Sequence, residues 1–379
     1  MDSYVDVVFN KTFLVNDTLS YDEVAASERA HEAVIVPVAF FVILLVGLTG
    51  NGTVLFLVSK YRELKTVPYM LIVNLAVADI LVIVVCVPFT STIYAMESWL
   101  FGTAICKLNE FLQTVVVSVS ILTLSALSVE RYQTIVQHDR GQRRDVIHNR
   151  RHVIRIVIVT WVLGVLFGLP DLVSANVVKY ERGSAGPLEI CIGHPTPANA
   201  SYNKTITMTK FLLLFLVPVG IIVVSYSLLV CKLFSGDLPA VNGASYSMEH
   251  HDKQLVDRVA KKGNVLERRL HLAKVVFFLV ALFVVCWLPR HIYLLWFHYS
   301  DQLYNEFWHV FKITGFCLTF VNSALNPVVV YLLDALVNRY VNRHLFCCVH
   351  GADQSGELQP LGDDDIELSV VPDASPSTV

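Results

Sequence analysis

Residues 68–94 read PYMLIVNLAVADILVIVVCVPFTSTIY, an apolar stretch in which Asp79 is the only charged side chain. About 20 apolar residues in an α-helix are enough to cross the hydrocarbon core of a bilayer, which is roughly 30 Å thick. This stretch reaches that length. It therefore predicts a membrane-spanning helix rather than a core helix of a soluble domain.

Six other apolar stretches reach the same length. They lie at approximately residues 34–58, 103–132, 152–173, 207–233, 271–298 and 304–333. The third and seventh spans are more polar than the others, and their polar faces are expected to point inward because lipid cannot satisfy them. The predicted fold is an all-α membrane protein, a seven-transmembrane helix bundle.

The composition agrees with a membrane protein and excludes other classes. Of the 379 residues, 54% are hydrophobic and 16% are charged, whereas proteins average about 45–50% and about 25%. A net charge of -3 excludes general nucleic-acid binding through bulk positive charge. No P-loop, metal-ligand cluster or catalytic triad is recognisable, so the sequence does not support an enzyme.

The placement of Lys and Arg predicts the orientation in the membrane. Most of the 29 basic residues follow the first, third, fifth or seventh span, and such residues favour the cytoplasmic side. We therefore expect a multi-pass protein of the plasma membrane with its N-terminus outside. Residues 1–33 lack the apolar core of a signal peptide, which predicts an extracellular segment before a transmembrane domain over residues 34–333.

Sequons and cysteines agree with this orientation. Glycosylation sites on the predicted outer side are Asn10, Asn16, Asn199 and Asn203. Cys106 at the start of span three and Cys191 before span five also face the oxidising side. A Cys106–Cys191 disulfide is the favoured pairing, because it would restrain a long loop over the mouth of the bundle.

The region after the seventh span divides in two. Residues 334–348 predict a short amphipathic cytoplasmic helix on the inner leaflet, with Cys347 and Cys348 as palmitoylation sites. A frayed tail with two unused thiols is the alternative. Residues 349–379 are predicted to be a disordered cytoplasmic tail. Its end, Ser377-Thr378-Val379, is a possible ligand for a PDZ-domain protein.

Five polar residues fall at mid-span in four of the predicted helices. They are Asn51, Asp79, Ser120, Asn322 and Asn326. A lone carboxylate at this depth is costly unless it finds partners or water. One interpretation is a Na⁺ site completed by water, and the alternative is a hydrogen-bond network that joins helices. No other cofactor is predicted.

Short motifs follow one another in order along the spans. They are Gly50-Asn51, Asn74-Leu-Ala-Val-Ala-Asp79, Trp99-Leu-Phe-Gly102 before Cys106, Glu130-Arg131-Tyr132, Trp161, Pro218 with Tyr226, Phe283-Val-Val-Cys286-Trp287-Leu-Pro289 and Asn322-Ser-Ala-Leu-Asn326-Pro327. With this set the chain resembles the rhodopsin-like G-protein-coupled receptors across all seven spans. The resemblance implies a cell-surface receptor that activates a heterotrimeric G protein, with arrestin as a further partner.

Finer features resemble the peptide receptors of this family. Three residues separate Pro327 from Tyr331, as in bombesin and endothelin receptors, and residues 91–99 resemble arthropod CCHamide neuropeptide receptors still more closely. Bombesin receptors carry Arg at the position of Phe316 and Asn at that of Arg290. The implied ligand is an extracellular CCHamide- or bombesin-like neuropeptide, and another peptide is the alternative.

A ligand site is predicted at the outer mouth. Four residues of span six are spaced i, i+3, i+4 and i+7 and so share one helix face, and span three offers a matching face. With span seven, the predicted contact residues are Gln113, Val117, Trp287, Arg290, His291, Leu294 and Phe316. The charge of Arg290 needs a partner, and the alternative to a peptide oxygen is an internal pair with Glu110, one turn above Gln113. In the family that the chain resembles, amine receptors have Asp at the position of Gln113 and opsins have Lys at the position of Phe320. Neither an amine ligand nor retinal is therefore expected.

The motifs also imply an activation switch. Arg131 is expected to pair with Glu130 at rest and then to swing to the G protein, and an ordinary interfacial salt bridge is the alternative. The predicted switch residues are Glu130, Arg131, Tyr132, Tyr226, Trp287, Asn326, Pro327 and Tyr331. A transporter or channel is the other function class, although the internal repeats typical of transporters are not recognisable.

Overall fold

The computed structural model describes residues 22–96, 98–137, 146–181, 187–193, 200–234, 253–300 and 305–343. Within these ranges, seven helices are long and apolar enough to cross a membrane, which confirms the predicted seven-transmembrane bundle. They are α1 (Asp22–Lys60), α2 (Val67–Met96), α3 (Gly102–Gln137), α4 (Val146–Ser174), α5 (Ala200–Phe211, a π-helical turn Leu212–Leu216, then Val217–Phe234), α6 (Lys253–Tyr299) and α7 (Glu306–Leu333). A 3-10 turn, Arg62–Leu64, lies between α1 and α2, and α8 (Ala335–Val341) follows α7.

Helix α1 begins well before the predicted first span. It starts at Asp22, whereas the apolar stretch starts at residue 34. Residues 22–33 read DEVAASERAHEA. The segment is too polar to count as part of an apolar span, but it is rich in Glu and Ala, which are strong helix formers. Hydropathy therefore locates the part of α1 that can lie in lipid, and helix propensity extends the helix beyond it.

Helix α5 contains a π-helical turn just before a proline. Pro218 has no backbone N–H, and its ring would clash with the carbonyl group four residues earlier in a regular α-helix. The turn Leu212–Leu216 directly precedes the α-helical segment that contains Pro218. Such π turns are a usual way to place an irregularity inside a helix without ending it.

Helix α3 lies at the centre of the bundle. In the most apolar stretch of each helix, 72% of the residues of α3 are buried, against 22% in α1 and in α4. Asn74 of α2 ties three helices together here: its amide nitrogen donates to Thr123 Oγ1 of α3 at 2.8 Å, and its oxygen accepts from Trp161 Nε1 of α4 at 2.9 Å. Central position explains why α3 is less apolar than its neighbours.

The outer helices expose large apolar side chains. Phe41 of α1, Val162 of α4 and Val223 of α5 are each more than half exposed. Continuous apolar surface of this kind is rare on soluble monomers. In a bilayer these side chains contact lipid, which agrees with the predicted membrane location.

A β-hairpin follows α4 in the chain. Strands β1 (Asn176–Glu181) and β2 (Pro187–Ile192) pair antiparallel, and Val177 lies opposite Cys191. Cys191 forms a disulfide with Cys106 near the start of α3, with 5.6 Å between the Cα atoms. The predicted pairing is confirmed. We call this end of the bundle, marked by the disulfide, the mouth.

Helix α8 is anchored to the end of α7 opposite the mouth. Asp334 caps it, since Oδ1 accepts from the backbone N–H groups of Leu336 and Val337 at 3.0 and 2.9 Å. The Asp334 Oδ2 atom accepts from the hydroxyl of Tyr69 on α2 at 2.7 Å. Val337 and Val341 are buried and Arg339 is exposed, so α8 buries an apolar face over the part of the predicted segment 334–348 that the structure describes as this helix. Cys347 and Cys348 lie outside the described residues.

Tyr340 gives α8 a second attachment. Its ring stacks on that of Tyr61, with 3.8 Å between the ring centres, and its hydroxyl donates to Glu63 at 2.8 Å. Desolvation and this hydrogen bond to a carboxylate raise the pKa of Tyr340. A tyrosine is already neutral at physiological pH, since its ordinary pKa is about 10, and the shift extends the pH range in which Tyr340 donates to Glu63. Helix α8 is thus held against the turn that follows α1.

One predicted glycosylation site does not fit the structure. Asn203 lies inside the first segment of α5 and its side chain is 1% exposed. A glycan on this nitrogen would have to displace the surrounding helix packing. Asn10, Asn16 and Asn199 lie outside the described residues.

Candidate functional site

Trp99 connects the β-hairpin to the start of α3. Its backbone N–H donates to the carbonyl oxygen of Glu189 on β2 at 2.7 Å, and its Nε1–H donates to the carbonyl oxygen of Gly102 at 2.9 Å. Gly102 has φ +69, a left-handed conformation that glycine adopts without steric cost. Trp99 is 1% exposed. Together with the disulfide, these contacts hold the hairpin at the mouth.

Arg290 is the central cation of the mouth. Its guanidinium carbon lies 4.4 Å from the centre of the Phe316 ring and 5.8 Å from that of Trp287. Its Nη1 atom donates a long hydrogen bond of 3.4 Å to Gln113 Oε1. One side chain of α6 thus contacts residues of both α3 and α7, which brings four of the predicted ligand residues together.

Gly315 allows α6 and α7 to approach each other at this point. A Cβ atom placed on Gly315 would lie 3.1 Å from the backbone nitrogen of Arg290 and 3.2 Å from the carbonyl carbon of Pro289. Both are closer than ordinary van der Waals contacts, and both neighbours are backbone atoms. The absence of a side chain at residue 315 therefore brings Phe316 within reach of the arginine.

His291 faces α5 instead of the cation. Its ring centre lies 4.9 Å from that of Phe215 and 5.7 Å from that of Phe211. Trp287, one turn below, stacks on Phe283 with 5.6 Å between the ring centres. These rings form an aromatic wall between α5 and α6. Leu294 is partly buried further toward the mouth.

A small internal cavity of about 20 Å³ continues below Arg290. Its lining includes Gln113, Val117, Trp287 and Arg290 from the predicted ligand set, and Ser120 and Asn322 from the predicted ion set. About 10–15 Å³ accommodates one water molecule. The two sites that the sequence suggested separately are thus connected through a space of about one water molecule.

Three charged residues near the mouth lie outside the predicted ligand set, and of these only Glu110 was expected at all, as a possible internal partner of Arg290. Lys210 of α5 donates to both carboxylate oxygens of Asp171 on α4, at 2.6 and 2.7 Å, and more weakly to Thr114 of α3 at 3.4 Å. Glu110 lies one turn above Gln113 on α3. All three stand within apolar spans, where an ionisable side chain indicates a functional site. The criterion that identified Asp79, an ionisable residue inside an apolar span, would also have found Lys210 and Asp171.

The inner polar cluster is partly assembled. Asn326 Nδ2 donates to Asp79 Oδ2 at 2.8 Å, whereas Asn51 Nδ2 donates to the carbonyl oxygens of Gly47 and Ser323, each at 2.9 Å. Several buried acceptors have no hydrogen-bond partner within the described part of the chain: Asp79 Oδ1, Asn322 Oδ1 and Asn326 Oδ1. Buried acceptors without partners indicate room for a donor, a water molecule or a cation.

The end opposite the mouth carries the Glu130–Arg131 pair. Arg131 Nε donates to Glu130 Oε2 at 2.7 Å, and the hydroxyl of Thr134 donates to Glu130 Oε1 at 2.9 Å. Arg131 is 2% exposed. Both oxygens of Glu130 are thereby occupied, and the arginine is held inside the bundle. The predicted resting switch and an ordinary salt bridge both include this pair.

The other predicted switch residues make separate contacts at this end. The Tyr226 hydroxyl of α5 donates to the carbonyl oxygen of Ala273 on α6 at 2.8 Å. Tyr331 of α7 donates to Asn342 after α8 at 3.0 Å. Tyr132 packs against the apolar cluster that includes Ala273, and Pro327 is buried within α7. The hydroxyl groups of Tyr226 and Tyr331 are therefore engaged with different elements.

Comparison with known proteins agrees with this geometry. Residues 50–331 match the family described as 7 transmembrane receptor (rhodopsin family). The chain is 33% identical over 331 residues to the neuropeptide CCHamide-1 receptor of Drosophila melanogaster, a match that covers 84% of this chain and 62% of that receptor. It is 30% identical over 329 residues to bombesin receptor subtype-3 of Ovis aries, covering 86% and 78%.

A bombesin receptor of Bombina orientalis is similar at the same level. It is 30% identical over 320 residues, which cover 83% of this chain and 76% of that receptor. The family comprises receptors rather than enzymes, and its members cross the membrane several times. With the full set of seven spans and the ordered motifs, this chain belongs to the rhodopsin family of seven-transmembrane receptors.

Proposed function

We propose that this protein is a cell-surface receptor for a secreted CCHamide- or bombesin-like neuropeptide and that it activates heterotrimeric G proteins. The observation that carries the proposal is the position of Arg290, which joins α3, α6 and α7 beneath a disulfide-held hairpin. The names of the three relatives support a peptide ligand. Another peptide that fits the same mouth is the second candidate.

The chemistry of the mouth suits a peptide. A guanidinium group offers five N–H donors and no acceptor, and Arg290 uses one of them in the bond to Gln113. A peptide supplies the complementary acceptors as backbone carbonyls, a terminal amide or a carboxylate. The aromatic wall beside His291 offers apolar surface for a side chain of the same ligand.

Activation is proposed as a shift between two arrangements of α6. A peptide bound to Arg290 contacts α6 one turn from Trp287 and directly after Pro289, a residue that weakens the helix. At the other end of α6, the carbonyl of Ala273 is held by Tyr226. A ligand that binds another arrangement of α6 more tightly shifts the receptor population toward that arrangement. The shift weakens the Tyr226–Ala273 bond and opens the region around Arg131.

The inner polar cluster fits a sodium ion that favours the resting arrangement. Among the described residues of this cluster, the acceptors without a hydrogen-bond partner belong to Asp79, Asn322 and Asn326, and Ser120 lines the adjoining cavity with Asn322. One carboxylate with neutral oxygens and water suits a hard monovalent cation. Asn51 contributes through its bonds to backbone carbonyls instead. A bound Na⁺ supplies a positive charge that compensates the Asp79 carboxylate.

The orientation follows from the basic residues. We place the mouth outside the cell in the plasma membrane and Arg131 on the cytoplasmic side, where a G protein binds. Palmitoylation of Cys347 and Cys348, arrestin binding and capture of the C-terminal Ser377-Thr378-Val379 by a PDZ-domain protein remain predictions for this side.

The experiment expresses the full chain in cells with a promiscuous G-protein readout. CCHamide-1, bombesin and an unrelated amidated peptide of similar length are applied. Intracellular calcium, cAMP and membrane current are each measured. A concentration-dependent response to CCHamide-1 or bombesin without ionic current supports the proposal. Current without G-protein signalling would favour a channel, and silence toward both peptides at verified surface expression would refute this ligand class.

A further inference from the structure

Glu110 is a carboxylate at the mouth that the packing leaves without a direct partner. It lies one turn above Gln113 on α3, and a Cβ atom on Gly193 after β2 would come within 3.0 Å of its Oε2 atom. Within the described part of the chain it forms no hydrogen bond and no ion pair. An ionisable side chain so placed is costly unless something else neutralises it.

The nearest cations are already engaged. Lys210 makes a close ion pair with Asp171, whose side chain is 2% exposed, so these two charges compensate each other. Arg290 lies over the Phe316 ring and donates to Gln113. Glu110 and Arg290 influence each other electrostatically but are not within ion-pair distance. The mouth therefore presents one negative group and one positive group that influence each other electrostatically but do not pair directly.

We propose that Glu110 binds a cationic group of the peptide while Arg290 binds one of its oxygen acceptors. This inference rests on the proposed peptide-receptor function and specifies the ligand that the site accepts. The peptide presents an amino group, guanidinium or imidazolium close to a carbonyl or carboxylate. The cation faces Glu110 and the oxygen faces Arg290. Peptides that lack the cation are discriminated against, because they leave Glu110 desolvated and unpaired.

The competing explanation is internal. Glu110 and Arg290 could pair with each other once α6 moves, and then the carboxylate would serve activation rather than recognition. The two explanations differ in what a change in the ligand does. If the contact is with the peptide, a neutralised peptide and a neutralised residue 110 lose the same interaction and do not add.

The test uses CCHamide-1 as the probe, together with forms in which its N-terminal amine is acetylated or each basic side chain is replaced by Gln. The receptors are the wild type, Glu110→Gln and the control Glu306→Gln, which removes an exposed carboxylate at the start of α7. Potency is measured at matched surface expression. Glu110→Gln keeps the size of the side chain and removes only its charge.

We expect Glu110→Gln to reduce the potency of CCHamide-1 at least tenfold and Glu306→Gln to change it less than threefold. Among the neutralised peptides, the one that lacks the cation bound by Glu110 should have about the same reduced potency on the wild type and on Glu110→Gln. Unchanged potency on Glu110→Gln, or equal further losses for every neutralised peptide, would overturn the inference. So would a Glu110→Gln/Arg290→Gln double variant no weaker than either single variant, because that result indicates an internal pair.

Failure of this inference is distinct from failure of the proposed function. The response of the wild-type receptor to CCHamide-1 tests the function alone, and bombesin replaces CCHamide-1 as the probe if only bombesin is active. A responsive wild type with an equally responsive Glu110→Gln keeps the peptide receptor and removes the role of Glu110. A wild type silent to both peptides refutes the ligand class on which the inference rests, and the inference falls with it.

Discussion

The guanidinium carbon of Arg290 lies 4.4 Å from the centre of the Phe316 ring. These are two positions at which the sequence differs from the bombesin-receptor pattern to which it was compared, which has Asn at the first and Arg at the second. The structure places them in direct contact across the α6–α7 interface. In this chain the positive charge is carried by α6, and it lies against the α7 residue at the second of these positions.

Replacement of Arg290 by Ala should reduce peptide potency roughly tenfold to a hundredfold. Hydrogen bonds to charged groups contribute about 1.5–3 kcal/mol, and about 1.4 kcal/mol corresponds to a factor of ten. Concentration–response curves for CCHamide-1 at matched surface expression measure the loss. Phe316→Leu serves as the milder variant, since it keeps the guanidinium group and removes a cation–π contact of about 0.5–2 kcal/mol together with an edge-to-face contact with Tyr293. Wild-type potency in Arg290→Ala would remove this residue from the ligand site.

Gly315→Ala should destabilise the receptor and weaken its response. The added methyl group meets the backbone of Pro289 and Arg290 at 3.2 and 3.1 Å, so α6 and α7 must move apart and carry Arg290 away from Phe316. Gly220→Ala is the matched control, because a Cβ atom there meets nothing within 4 Å and Ala favours helices. Thermal unfolding of purified receptor should show a lower midpoint for Gly315→Ala alone. Equal midpoints for the two variants would contradict the close-approach argument.

Cys106→Ser and Cys191→Ser should each abolish or severely reduce the ligand response. The disulfide ties β2 to α3 and positions the hairpin above the mouth, and loss of a disulfide typically costs 2–5 kcal/mol in small domains. The double variant should be no worse than either single variant, since both remove the same bond. Ligand response is compared with surface labelling in intact cells. A single variant that reaches the surface and responds normally would refute the functional role of the bond.

Sodium should weaken agonist binding through Asp79. An ion that favours the resting arrangement opposes a ligand that favours the active one, and the coupling is reciprocal. Agonist affinity on membranes should therefore fall as NaCl replaces choline chloride at constant ionic strength. Asp79→Asn removes the carboxylate and should remove this dependence. If wild type and Asp79→Asn respond equally to sodium, the cluster is only a hydrogen-bond network.

The apolar spans alone were enough to predict the bundle. Each stretch such as residues 68–94 must satisfy its backbone groups internally in lipid, and this requirement leaves the helix as the available form. The order of short motifs, from Gly50-Asn51 to Asn326-Pro327, then specified the family, because each motif stands at a fixed place in its span. The cysteine pairing followed from topology, since Cys106 and Cys191 were the two expected at the mouth.

The contacts inside the bundle depended on the tertiary structure. Helix spacing placed Arg290 on the inner face of α6, but the close approach at Gly315 decided that its partner is Phe316 rather than Glu110. Hydropathy assigns Asp171 and Lys210 to two spans but does not indicate that they pair. Their ion pair of 2.6 Å depends on how α4 and α5 pack. Hydropathy also left Asn203 as an accessible sequon, whereas helix packing buries it. Hydropathy and periodicity are properties of one segment, whereas a contact depends on the relative rotation and separation of two helices.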